Sequence, residues 1–135
     1  MKVLGTYLFR IGFALYATLI AALSLINFES IASSSLFFDG FDKVVHFCFY
    51  LGFSVLLAQA FIEGFREVNK VTLRFWVIVY SLFYGGMLEF AQMWLTTYRQ
   101  ADWNDFYANA LGVAVGVVLH PYLSRVLLNA KSRNN

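Results

Sequence analysis

Four long apolar stretches, residues 11–28, 44–62, 75–95 and 105–128, leave this chain few ways to fold. Each approaches or exceeds the roughly 18–20 apolar residues a helix needs to cross a bilayer. In hydrocarbon every backbone donor and acceptor must be bonded within its own segment, which selects helices over open strands. The first stretch is uncharged and follows Lys2 and Arg10. The second has only His46 and Gln59 as strongly polar interruptions, and the third carries Glu89 and Gln92 near its far end. The fourth opens at Asp105 and contains Pro121, which lacks a backbone donor and crowds the preceding turn, so a bend is expected near its exit. A basic start and the small-residue site Ser30-Ile31-Ala32 would also suit a cleaved signal peptide. The uninterrupted run is long for a signal core, so the first helix is expected to be retained.

The chain of 135 residues reads as a single domain, 1–135. Only 13% of it is charged, against about a quarter in soluble domains, which sets it among all-α integral membrane proteins. The net charge of +2 is small and scattered, so no nucleic-acid partner is expected. Cys48 is the single cysteine and has no intrachain disulfide partner. There is no nucleophile elbow, Walker loop or zinc-protease helix, and no cofactor is expected. Asp42, His46, Glu89 and Asp105 make a conceivable N/O ligand set, but nothing in the sequence fixes their mutual distances, and no metal is expected.

Orientation follows from the basic residues. Lys2 and Arg10 precede the first segment, Arg66, Lys70 and Arg74 lie between the second and third, and Arg125, Lys131 and Arg133 close the fourth. Eight of the ten Lys and Arg residues therefore share one side, against Lys43 and Arg99 on the other. Four transmembrane helices with both termini in the cytoplasm are expected, in a bacterial cytoplasmic (inner) membrane. The loops around 28–43 and 96–104 then face outward.

With that topology, residues from three parts of the chain reach one membrane depth. Asp42, Lys43 and His46 open the second helix, with Tyr50 a turn further in. Glu89 and Gln92 end the third, Arg99 follows in the loop, and Asp105 and Asn109 open the fourth. Ionisable groups inside a bilayer are costly and usually face the bundle interior or a wet cavity. Asp42 beside His46 would fix the tautomer of the imidazole, and a desolvated Glu89 would be prepared for proton transfer. Lys43 and Arg99 supply positive charge suited to an anionic group. The candidates are His46, Glu89 and Asp105 for proton-transfer chemistry, and Asp42, Lys43, Tyr50, Gln92, Arg99 and Asn109 for ligand binding.

Each residue also has a plainer role. Asp102 suits an N-cap with Asp105 as the acid of the first turn, and Asp42 suits a cap of the second helix. Lys43 and Arg99 suit interfacial anchors, and His46 with Glu89 a structural interhelical pair. Gly112-x-x-x-Gly116 indicates close helix packing, with Gly85-Gly86 as an expected partner surface. Trp94, Tyr98 and Trp103 suit the outer aromatic belt.

The ordered set Asp42-Lys43-x-x-His46-x-x-x-Tyr50, Glu89-x-x-Gln92 and Arg99-x5-Asp105-x3-Asn109-x2-Gly112-x3-Gly116 resembles the VanZ-like membrane proteins. The resemblance covers roughly residues 39–119. Members of that family commonly carry proline shortly before the arginine, where this chain has Thr96-Thr97-Tyr98. What the resemblance implies is a cell-envelope role; the family's namesake is an accessory protein of glycopeptide resistance associated with reduced sensitivity to teicoplanin. The leading expectation is binding or modification of an anionic membrane lipid or lipid-linked glycan headgroup at the outer leaflet. Two alternatives stand beside it: a structural or accessory subunit whose cluster locks the bundle, and a proton-coupled transporter using His46 and Glu89 as a relay.

Overall fold

The computed structural model describes residues 7–25, 40–65, 67–95 and 102–133, with side chains as far as 126. It is all-helical: α1 (Leu8–Ser24), α2 (Phe41–Gly64), α3 (Lys70–Leu95) and α4 (Trp103–Arg133). The last three are long and apolar enough to cross a membrane. At 17 residues α1 is apolar but shorter, about 26 Å at 1.5 Å per residue against a hydrocarbon core of about 30 Å. Among the described residues there are therefore three helices of spanning length, where four spans were expected. Residues 26–28 of the expected first span lie outside the described residues, as do Lys2, Ser30-Ile31-Ala32, Arg66 and the loop 96–101.

Local chemistry sets the helix starts. Gly40 has φ +87°, a left-handed conformation that glycine adopts without penalty, and its carbonyl accepts from the Lys43 and Val44 amides. Asn69 accepts the Val71 amide at 2.8 Å, and Asp102 accepts the Asn104 amide at 2.8 Å, so α3 and α4 are each capped by a short polar side chain. The Tyr7 side chain caps nothing at α1. Instead the Glu63 carboxylate, at the far end of α2, receives the amides of Phe9 and Arg10 at 3.3 and 3.2 Å. The negative group sits where the exposed N–H groups and the helix dipole favour it.

Helices α2 and α4 form the most extensive pair. Gly112 and Gly116 permit it: a methyl at Gly112 would land on the Phe47 carbonyl oxygen, and one at Gly116 on the Ser54 hydroxyl. The expected partner surface, Gly85-Gly86, is not what these glycines meet. Gly85 instead lies beneath the Tyr50 ring, and Gly86 has open space where a side chain would stand. The core between the helices holds Ile20, Tyr50, Phe53, Leu57, Val77 and Val113. Phe53 stacks on Tyr84 with centroids 4.8 Å apart and meets Phe13 edge-on at 4.9 Å. Outward, Leu15, Phe83, Trp94, Trp103 and Val118 are exposed, as suits a molecule whose solvent is lipid. Helix α4 continues through Pro121 as far as Arg133.

Candidate functional site

The buried stripe of α3 runs Leu73, Val77, Ser81, Gly85, Glu89, Gln92. Its spacing of four, with one step of three, keeps it on a single helical face, and its character changes from aliphatic to polar along its length. The polar end meets the starts of α2 and α4. His46 is the centre of this meeting. Its Nδ1 is 3.1 Å from Asn109 Oδ1 and 3.8 Å from a Glu89 carboxylate oxygen, while its Nε2 is 3.6 Å from Asp105 Oδ2. All four side chains are at least nine-tenths buried. An amide oxygen only accepts, so Nδ1 carries the proton in this arrangement and Nε2 is the nitrogen turned toward Asp105. At 3.6 Å, proton exchange between them requires closer approach.

Lys43 forms the outer layer. Its ammonium is 2.9 Å from Asp42, 3.4 Å from Asp102 and 3.6 Å from Asp105, which links α2 to the start of α4. Asp102 caps α4 and also pairs with Lys43. The Asn104 amide, helped by Lys43, holds its carboxyl below the usual carboxylate range.

Most of the sequence candidates converge here: Asp42, Lys43, His46, Glu89, Asp105 and Asn109. Asp42 was expected to be the carboxylate that orients His46, but its hydrogen bond goes to Lys43, and the imidazole meets Asp105, Glu89 and Asn109 from the other two helices. Tyr50 is 1% exposed, packs on Gly85, and its hydroxyl has no hydrogen-bond partner among the described residues; Asn109 Nδ2 and the Ser81 hydroxyl are likewise unpartnered. Buried donors of this kind are uncommon and point to water or a ligand. Gln92 donates to the Ser24 carbonyl at 2.6 Å and so ties α3 to α1. Arg99 lies outside the described residues.

A groove of about 290 Å³ opens beside the cluster, between α3 and α4. Gly86, Phe90, Met93, Trp103 and Phe106 wall it, and Glu89 and Asp102 are its charged lining residues. Phe90, Met93 and Trp103 are all exposed, so its apolar wall continues onto the lipid-facing surface. Sequence reasoning also passed over a second polar pair deeper along the bundle. His120 Nε2 lies 3.0 Å from Gln59 Oε1, beside Arg74. The signal was present: each is a strongly polar residue inside an apolar run.

Fold and site together define a multi-pass helical membrane protein with a buried carboxylate–imidazole centre at one end of the bundle. The chain belongs to the VanZ/LLP1 family, whose model matches residues 5–125. No curated protein and no solved structure matches it. The family match includes α1, where the sequence resemblance had no motif to offer.

Proposed function

We propose that this VanZ/LLP1 protein binds the headgroup of an anionic membrane lipid or lipid-linked glycan at the outer leaflet of the bacterial cytoplasmic membrane. The observation that carries this reading is the lateral groove, which pairs an apolar, aromatic wall suited to an acyl or prenyl chain with Glu89 and Asp102. Glycan or glycerol hydroxyls would donate to those two carboxylates. Lys43 is shared among three carboxylates, so the charge that balances a phosphate falls largely to Arg99. Proton transfer, where the bound headgroup undergoes it, falls to His46 and Glu89. Both termini are cytoplasmic in this account, because eight of the ten basic residues lie on one side.

Gly86 makes the test clean. It lines the groove and has no atom within 4 Å of where a Cβ would stand, so a side chain can start there, and Gly86→Leu is the variant to fill the groove. Purified protein is delipidated, exposed to mixed anionic and zwitterionic lipids, and examined by native mass spectrometry. Wild type should retain anionic lipid, and Gly86→Leu and Glu89→Gln should lose it while melting normally. Equal retention by all three would refute the groove as the site. In a sensitive Gram-positive host, the corresponding phenotype is protection from teicoplanin by wild type and none by His46→Ala at matched membrane levels.

A second reading has one observation in its favour: His46 meets α3 and α4 at once, as an interhelical lock would. The two readings separate on thermal stability.

A further inference from the structure

We infer that His46, Glu89 and Asp105 form a binding site for a divalent metal ion of the zinc class. Each comes from a different helix, each is buried, and each offers one ligand atom, all lying within 4.8 Å of one another. Ligands about 2.1 Å from a tetrahedral zinc stand about 3.4 Å apart. The 3.6 Å between His46 Nε2 and Asp105 Oδ2 already matches that spacing, and the ligand atom of Glu89, within 4.8 Å of the other two, would close in on binding. The folding of three helices thus supplies the mutual distances that the sequence leaves open.

Two further observations point to a cation. The first is the second layer around the imidazole. Asn109 Oδ1 holds Nδ1 by a hydrogen bond, which turns the Nε2 lone pair toward a carboxylate oxygen. Metal-bound histidines are characteristically fixed in this way through their other nitrogen. A lone pair facing an anionic oxygen is repulsive until a proton or a metal cation lies between them. The second is charge. Among the described residues, Asp42, Asp102 and Asp105 share the ammonium of Lys43, while Glu89 faces the imidazole of His46. Lys43 approaches Asp105 through Oδ1, which leaves Oδ2 facing the imidazole. A divalent ion would add positive charge among these buried carboxylates, where a low-dielectric surrounding makes negative charge costly.

One imidazole and two carboxylates form a mixed N/O set that suits zinc better than magnesium, which favours oxygen ligands and keeps its waters. Three protein ligands leave a fourth position, the pattern of sites that admit water or substrate. Glu89 also lines the groove, so that position lies near the route from the lipid phase. The site does not depend on lipid being the ligand.

The test is zinc binding by the full chain in detergent micelles after chelator treatment, with no lipid added. Wild type and His120→Ala should each take up one zinc per chain. His46→Ala should lose it, and Asn109→Ala, which removes only the orienting bond, should bind about tenfold more weakly or worse. Failure of the wild type to bind, binding unchanged by His46→Ala, or equal competition by magnesium would overturn the inference. X-ray absorption on zinc-loaded wild type needs no variant to fold. One imidazole with oxygen ligands is expected, and two imidazoles or a Cys48 sulfur would overturn it.

Discussion

His46 Nε2 lies 3.6 Å from Asp105 Oδ2, and exposure of the two residues is 7% and 2%. The contact joins the start of α2 to the start of α4, and it is reached only because those helices run unusually close. An imidazole and a carboxylate held this way can share a proton or a cation, or simply attract each other.

The close approach rests on Gly112. A methyl there would meet the Phe47 backbone carbonyl, which cannot swing aside as a side chain can. Gly112→Ala should therefore destabilise the bundle by about 1–3 kcal/mol through overpacking. Gly86→Ala, with open space around it, should be neutral or stabilising by up to about 1 kcal/mol from helix propensity alone. Thermal melts of both variants in the same detergent decide this.

Helix α1 depends on a cap supplied by another helix. Glu63→Ala removes the acceptor for the Phe9 and Arg10 amides, and loss of a helix cap typically costs about 0.5–2 kcal/mol. Hydrogen exchange at those two amides should accelerate, while exchange in the middle of α2 and α4 should stay unchanged. Unaltered exchange at Phe9 and Arg10 would mean the contact contributes nothing.

Asp102 gives the acid limb of the stability profile a definite sign. Its folded pKa is lowered, chiefly by the Asn104 amide, so it adds stability above the ordinary carboxylate range. That contribution is lost as pH falls through the folded value. Asp102→Asn keeps an effective capping side chain but cannot titrate or pair with Lys43. Its melting temperature should fall less steeply than wild type's between about pH 5 and pH 2.

Topology is open to direct test. A green fluorescent protein fused after Asn135 should fluoresce, and alkaline phosphatase fused there should be inactive, if the C-terminus is cytoplasmic as proposed. Active phosphatase at that end would invert the orientation and move the cluster to the cytoplasmic leaflet.

The meeting of α2, α3 and α4 was legible in the sequence because its signals are local. Asp42, His46 and Tyr50 recur every four residues, Asp105, Asn109, Gly112 and Gly116 hold one face, and the basic residues sort the ends. The pairing within the cluster was not legible. Asp42 is four residues from His46 and looked like its partner, but partner choice depends on how each helix is rotated about its axis and how deeply α4 sinks onto α2. Those are set by contacts such as Gly112 on Phe47, which no spacing rule specifies. The same reason explains why Gly85-Gly86 looked like a packing surface for Gly112 and Gly116. Glu63 escaped notice because its task, capping α1, links residues more than fifty positions apart. The first span was drawn to 28 from hydropathy, and α1 is described from Leu8 to Ser24, with residues 26–28 outside the described residues.

The central claim is that the buried cluster is a binding site and not a lock. Asp105→Asn tests it most directly, with melting temperature and anionic-lipid retention measured on the same preparation. Asn keeps the shape of the side chain, and Lys43 keeps Asp42 and Asp102 as partners. The account predicts a melting temperature within about 4 °C of wild type, corresponding to about 1 kcal/mol, together with loss of retained lipid. A protein that melts far lower, or accumulates poorly, yet still holds lipid in its folded fraction would contradict it, and the cluster would stand as a structural lock.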